Sequence, residues 1–171
     1  MLAPRIPKNE PERLIALQGL ALLDTQPAEA YDRLTRLASE EFKVGICAIS
    51  LVDRDRQWFK SISGLSVKET SREISFCGHT ILDEGCFVVL DTFLDDRFAD
   101  NPLVTDEPKI RFYAGCPVHD PSFHRIGSIC LIDSAPRSFD RKDMVKLHEY
   151  ASDVEAQIEK DYLVRLQNSS S

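Results

Sequence analysis

Residues 75–118 form a long irregular stretch between two strand-rich regions, and this stretch constrains the fold more than any other part of the chain. It begins with the motif SFCGHT at 75–80 and ends with RFYAGCPV at 111–118. A plain connection can be short and polar, whereas aromatic and polar side chains concentrated in one connection are typical of a pocket wall. We therefore expect this stretch to enclose a small molecule.

The flanking regions predict helices and antiparallel hairpins. Asn9 and Glu12 have the spacing of a capping box, which predicts that a first helix starts there. A second helix is expected from about residue 27, with one apolar face made by Ala30, Leu34, Leu37, Ala38 and Phe42. The predicted strands are 45–52 and 57–62 as one hairpin, 87–90 as a short central strand, and 111–118 and 125–133 as a second hairpin.

The last predicted helix runs from Asp140, with Asp143 as its capping partner, to about residue 166. Its apolar residues follow spacings of three and four; they are Met144, Leu147, Ala151, Val154 and Ile158. This seam suits either a homodimer or the covering of a sheet in the same chain. Together these elements predict an α+β fold, with a central antiparallel sheet, the N- and C-terminal helices on one face and a ligand pocket on the other. We expect one domain over 1–171, with a core at about 9–140.

Composition excludes several classes of partner. The chain has 171 residues, 43% of them hydrophobic, and 21 basic against 28 acidic residues give a net charge of −7. Such a charge gives no attraction to a phosphate backbone, so we expect no nucleic-acid partner. No apolar run approaches the roughly 20 residues needed to span a bilayer, and no signal-peptide core is visible. We expect no membrane partner and a cytoplasmic location.

The five cysteines are interpreted as reduced thiols, because their number is odd and no secretion signal is visible. Cys47 and Cys130 lie within apolar strand segments, where a thiol packs as a small apolar group. Cys77, His79 and Cys86 fit no zinc-binding spacing, so we expect no metal site.

In its ordered motifs the chain resembles a GAF domain, a small-molecule-sensing relative of PAS domains. The motifs are VDRDRQWFKS at 52–61, SFCGHTI at 75–81, NPLV at 101–104 and IRFYAG at 110–115. The likeness covers about 9–140 and is to the sensory type found ahead of diguanylate cyclases and histidine kinases. The resemblance implies a sensory module without catalysis, with an unidentified ligand, an unknown cofactor, and an output domain or a partner protein in trans. The seam from Met144 to Ile158, together with the apolar stripe of Leu14, Leu17 and Ala21 in the first helix, predicts a homodimer through the terminal helices.

An enzymatic alternative comes from the same resemblance, because free methionine-(R)-sulfoxide reductases have this fold and use cysteines in the pocket loops. This chain has no cysteine between Cys86 and Cys116, where that family carries its attacking thiol. A two-thiol mechanism without its nucleophile has no first step, which favours the sensory module.

Eight residues are the candidate ligand contacts: Trp58, Phe76, Cys77, His79, Thr80, Asp91, Arg111 and Tyr113. An arginine fork can bind a carboxylate or phosphate, and aromatic rings suit a planar body. Strand alternation places Arg111, Tyr113 and Gly115 on one face. Two alternatives stay open: Arg111 pairs with Asp91 or Asp100 to brace the loop, and Cys77 has only a packing role.

Overall fold

The structure is a computed structural model that describes residues 1–170; Ser171 lies outside the described residues. Its helices are α1 (Glu10–Gly19), α2 (Glu29–Phe42), α3 (Cys77–Thr80), α4 (Pro102–Thr105) and α5 (Arg141–Ser169). Its strands are β1 (Ile46–Val52), β2 (Arg56–Ser63), β3 (Glu69–Ser71), β4 (Phe87–Val89), β5 (Phe112–His119) and β6 (Arg125–Asp133).

The six strands form one antiparallel sheet in the order β3-β2-β1-β6-β5-β4. The predicted α+β class and both hairpins are confirmed. The prediction that residues 87–90 form a central strand is wrong, because β4 lies at the sheet edge and pairs with β5 alone. The three-residue strand β3 was not predicted, since such a short polar segment has no recognisable alternation.

Helices α1, α2 and α5 pack on one face of the sheet, and we call the buried layer between them and the sheet the helix-side core. In β5, Phe112, Ala114 and Cys116 belong to this core, whereas Tyr113 faces the other side. The alternation predicted for this strand is thus observed. It means that one strand contacts both the helices and the opposite face of the sheet.

Helix α2 is rotated relative to the prediction. Ala30 and Leu37 are exposed, while Tyr31 and Thr35 are buried. The reason is hydrogen bonding across the layer: the Tyr31 hydroxyl donates to Asp161 of α5 at 2.6 Å, and Thr35 Oγ1 lies 2.9 Å from Ser61 Oγ of β2. These contacts favour a face that apolar spacing alone does not identify.

Helix α5 begins with the predicted capping box, since Asp140 and Asp143 bond each other's backbone N–H groups at 2.9 Å. Its seam covers the sheet of the same chain, because four of the five seam residues lie in the helix-side core; they are Leu147, Ala151, Val154 and Ile158. The remaining seam residue, Met144, is 37% exposed. These four side chains have no surface left for a partner subunit.

Helix α1 lacks the predicted capping box, because the Asn9 side chain makes no capping hydrogen bond. The neighbouring Glu10 instead accepts from Arg13 at 2.8 Å and from Arg72. Arg13 also donates to the Val52 carbonyl at 2.7 Å. This network fixes α1 to the end of β1 and to the turn before α3.

Among the described residues, no helix combines the length and the apolar character that crossing a bilayer requires.

Candidate functional site

A small cavity of about 40 Å³ lies on the face of the sheet opposite the helix-side core. It lies beneath the β2–β3 connection and is surrounded mainly by apolar side chains. The lining residues include Phe59, Ile62, Leu65, Val67, Phe76, Cys77, Leu103, Ile110, Tyr113, Cys130 and Ile132. A mainly apolar lining with a few polar groups is typical of small-molecule sites.

An open groove of about 600 Å³ is larger, but it lies at the surface beside α5. Glu84, Glu155 and Glu159 are among its lining residues. Acidic and polar side chains line much of this groove, whereas small-molecule sites are lined mostly by apolar side chains with a few polar groups. We therefore place the candidate site in the smaller cavity.

Polar groups at the inner end of the cavity converge on the Cys77 sulfur. The Ser128 hydroxyl donates to it at 3.0 Å and the Tyr113 hydroxyl at 3.3 Å. The Cys130 sulfur lies 3.8 Å from it, and Thr80 Oγ1 is 2.7 Å from the Tyr113 oxygen. We call Cys77, Thr80, Tyr113, Ser128 and Cys130 the thiol–hydroxyl cluster; all five are buried.

The cluster changes the acidity of both thiols. Hydrogen bonding from Cys130, and then from Ser128 and Tyr113, lowers the pKa of Cys77 although burial opposes this. The pKa of Cys130 is raised by its hydrogen bond with Cys77 and by burial. Burial also raises the pKa of Tyr113. Cys77 is therefore the member of the cluster that most readily carries a negative charge.

Gly115 is required by the position of Tyr113. A Cβ atom at residue 115 would lie 2.3 Å from the Tyr113 hydroxyl oxygen, which is a severe overlap. The Tyr113 ring also contacts Phe76, whose ring stacks on Phe98 with a centroid distance of 4.2 Å. A glycine on the same face of β5 therefore lets the tyrosine lie against the strand and reach Cys77.

The candidate contacts separate into two groups. Phe76, Cys77 and Tyr113 line the cavity, and Thr80 bonds Tyr113 behind them. His79 points away, because its Nε2 atom lies 3.2 Å from the Leu2 carbonyl. Burial lowers the pKa of His79. This side chain connects α3 to the N-terminal segment.

The other three candidates lie outside the cavity. Arg111 forms a two-pronged ion pair with Asp91, with contacts of 3.0 to 3.2 Å, and its guanidinium lies 3.6 Å from the Phe93 ring centre. The pairing corresponds to the bracing alternative. Trp58 belongs to the helix-side core. A ligand role for these three residues remains a prediction.

Sequence reasoning missed Ser128 and Cys130 as site residues. Cys130 was expected only to pack as an apolar group, yet it lines the cavity beside Cys77. The available signal was Ser128 two residues earlier, because residues i and i+2 share a strand face. Ser50 lies opposite Ser128 in the β1–β6 pairing. Serines at matching positions of two otherwise apolar strands indicate a buried polar site.

The expectation of five reduced thiols is wrong for two of them, since Cys86 and Cys116 form a disulfide. The β4–β5 register pairs Phe87 with Gly115. Cys86 precedes Phe87 and Cys116 follows Gly115, so the antiparallel pairing places the two cysteines opposite each other, with Cα atoms 4.3 Å apart. Cys47, Cys77 and Cys130 are free. The described residues hold no group of three or more side chains arranged to bind a metal ion.

Comparison with known proteins now adds to this geometry. The GAF domain family model matches residues 26–158. A cyclic di-GMP phosphodiesterase of Pseudomonas aeruginosa is 39% identical over 159 residues, which are 92% of this chain and 27% of that protein. The chain thus spans about a quarter of the length of this relative. The expectation that the chain is not an enzyme is contradicted by this relative, which is named for a catalytic activity.

Two solved structures show the same fold. The blue-light-absorbing PixJ GAF domain of Thermosynechococcus elongatus aligns with a TM-score of 0.67 and 14% identity, covering 97% of this chain and 96% of that one. The free methionine-R-sulfoxide reductase of Neisseria meningitidis aligns with a TM-score of 0.65 and 18% identity, covering 96% and 99%. At such identities the likeness concerns the fold alone. With its family match and its antiparallel sheet, the chain belongs to the GAF domain family.

Proposed function

We propose that this chain is the signal-receiving GAF module of a protein that hydrolyses cyclic di-GMP. The observation that carries the proposal is the 39% identity to a cyclic di-GMP phosphodiesterase across 92% of the chain. Because the chain spans 27% of that relative, the hydrolytic activity belongs to the proposal for the whole protein. A cytoplasmic location is part of the proposal.

The signal in this proposal is a small molecule bound in the cavity. β6 is suited to transmit its presence, because Cys130 lines the cavity while Ile129 and Leu131 of the same strand lie in the helix-side core with α5. A ligand shifts a conformational equilibrium only by its difference in affinity for the two states, typically about 1–3 kcal/mol. The terminal helices are the elements that receive this shift.

A homodimer through the terminal helices is part of the proposal. The buried seam of α5 cannot form it, but α1 and the last turns of α5 carry exposed apolar side chains: Ile15, Leu163, Val164 and Leu166. Sedimentation of the wild type and of Leu163→Asp at micromolar concentration tests this interface. We expect a dimer that the substitution dissociates; a wild-type monomer would refute it.

The proposed function is tested with a chimera of the Pseudomonas relative in which this chain replaces the matching residues. The measurement is the rate of cyclic di-GMP hydrolysis. We expect the chimera to hydrolyse the nucleotide. Val67→Phe, which enlarges a side chain in the cavity wall, should change the rate by about fivefold or more. Val145→Phe is the matched control, because Val145 is exposed on α5.

A chimera whose hydrolysis rate does not respond to Val67→Phe would refute a signalling role for the cavity. Reduction of methionine sulfoxide by the chain itself, measured with a thiol reductant, would instead favour the reductase activity of the Neisseria structure.

A further inference from the structure

Two free thiols meet at the inner end of the cavity, and nothing in the proposed ligand-sensing role uses their chemistry. Cys77 on α3 and Cys130 on β6 are separated by 3.8 Å between sulfur atoms. A disulfide requires a separation of about 2.0 Å. A movement of about 1.8 Å between two neighbouring side chains would therefore join them.

The surroundings distinguish the roles of the two sulfurs. Cys77 accepts hydrogen bonds from the Ser128 and Tyr113 hydroxyls at 3.0 and 3.3 Å. Donors of this kind stabilise a thiolate, which is the nucleophilic form of cysteine. Cys130 lacks such hydroxyl donors among the described contacts, so Cys77 is the sulfur better placed to become a thiolate.

Both sulfurs face the cavity, whose volume is about 40 Å³. One water molecule needs about 10–15 Å³, so the space admits about three or four water-sized molecules. The lining is mainly apolar, and transfer of a charged group into such surroundings is costly. A small neutral molecule is therefore the reactant that fits.

We propose that Cys77 and Cys130 are a peroxide-oxidisable dithiol, in which Cys77 is the attacking thiol and Cys130 the resolving one. The Cys77 thiolate attacks one oxygen of hydrogen peroxide; the S–O bond forms, the O–O bond breaks, and hydroxide leaves. The resulting sulfenic acid reacts with Cys130, so that the S–S bond forms, the S–O bond breaks, and water leaves with the Cys130 proton. Overall, two thiols are oxidised and one peroxide is reduced to two waters.

Formation of this bond links α3 covalently to the central strand β6. α3 also holds the N-terminal segment through the contact between His79 and Leu2. Oxidation of the two thiols and binding of a ligand in the cavity therefore both act on the same face of the sheet. The dithiol inference does not depend on cyclic di-GMP chemistry.

Cys47 provides an internal control, because it is also buried and free. It faces the helix-side core, and burial alone raises the pKa of this thiol. Cys47 should react with peroxide only when the whole domain unfolds. Its rate of oxidation therefore measures access by unfolding in the same sample.

The test is a time course of the full chain with hydrogen peroxide, stopped with catalase, followed by denaturation, alkylation and mass spectrometry. Three alkylated cysteines are expected before treatment. After treatment we expect Cys47 alone to be alkylated, and a cross-linked peptide pair containing Cys77 and Cys130. Cys130→Ser should accumulate a dimedone-reactive sulfenic acid at Cys77, and Cys77→Ser should protect Cys130.

Tyr113→Phe removes one donor from the Cys77 sulfur and should slow oxidation several-fold while the fold, followed by circular dichroism, is retained. Loss of Cys47 at the same rate as Cys77 and Cys130 would overturn the proposal, because access would then require unfolding. Persistence of three alkylated cysteines would overturn it as well. The comparison of Cys47 with Cys77 and Cys130 in the wild type tests the proposal even where a variant fails to fold.

Discussion

Glu10 neutralises two buried guanidinium groups, and its removal should destabilise the domain. Its carboxylate accepts from Arg13 and from Arg72, whose side chains are 1% and 5% exposed. Burial raises the pKa of Glu10, but the hydrogen bonds from both arginines outweigh this effect and lower it from 4.5 to about 2. We predict that Glu10→Gln, which keeps the shape and removes the charge, leaves both arginines without an anion.

The magnitude follows from the pKa of Glu10. Lowering the pKa from 4.5 to about 2 corresponds to roughly 3 kcal/mol, at about 1.4 kcal/mol for each pKa unit. Because the carboxylate is 14% exposed, solvent screens part of this energy, and we expect a loss of about 2 kcal/mol at pH 7. For a domain of this size that loss lowers Tm by about 4–8 °C.

The effect has a definite pH dependence. The folded-state pKa of Glu10 lies below the unfolded value, so its stabilisation is present above about pH 4.5 and is lost as the pH falls toward 2. Urea unfolding of the wild type and Glu10→Gln at pH 7 and pH 3 measures this. The difference between the two proteins should shrink at pH 3.

Glu12→Gln is the matched control, because Glu12 lies exposed on the same helix. It should change stability by no more than about 0.5 kcal/mol, the size of a helix-dipole effect. Equal stability of Glu10→Gln and Glu12→Gln at pH 7 would refute the argument. A difference that is the same at both pH values would refute its electrostatic basis.

Three further predictions concern other contacts. Hydrogen bonding to Glu155 raises the pKa of His119 above 6.5. The charged imidazole therefore stabilises the fold below about pH 6.5, and this stabilisation is lost as the pH rises through the raised pKa. In urea unfolding, His119→Gln should be less stable than the wild type by about 1–2 kcal/mol at pH 6 and equal to it at pH 9. Replacing Cys86 and Cys116 by serine removes a cross-link between residues 30 apart in sequence. The free energy of unfolding, measured in urea under oxidising conditions, should fall by about 3–4 kcal/mol, and a reductant should abolish the difference from the wild type. Arg111→Ala should lower stability by about 1–2 kcal/mol without unfolding the domain, as measured by thermal melts.

Patterns with a single structural explanation were predictable from sequence. The hairpin predicted across the turn residues 119–122 has both bounds of β6 right, and Asp140 with Asp143 predicts the start of α5, because each depends on local geometry. The opposite faces of β5 followed from the period of two. Local rules therefore account for the sheet-forming hairpins and for Tyr113 facing the cavity.

Features that depend on contacts distant in sequence were not predictable. Tyr31 is buried because Asp161 lies beside it, across 130 residues. The disulfide of Cys86 required the register of β4 against β5, which a single sequence does not specify. The role of Cys130 required the position of α3 over β6, which brings Cys77 to it. In each case tertiary packing decided between local alternatives.

The central proposal is that the cavity lined by Phe76, Cys77 and Tyr113 is the site at which a small signalling molecule binds. Native mass spectrometry of the protein purified from its own host tests this most directly, with Val67→Phe and the matched Val145→Phe purified in parallel. The account predicts a retained small molecule on the wild type and on Val145→Phe, and its loss from Val67→Phe. A wild-type protein at the mass of the chain alone, or a molecule that Val67→Phe retains, would contradict it.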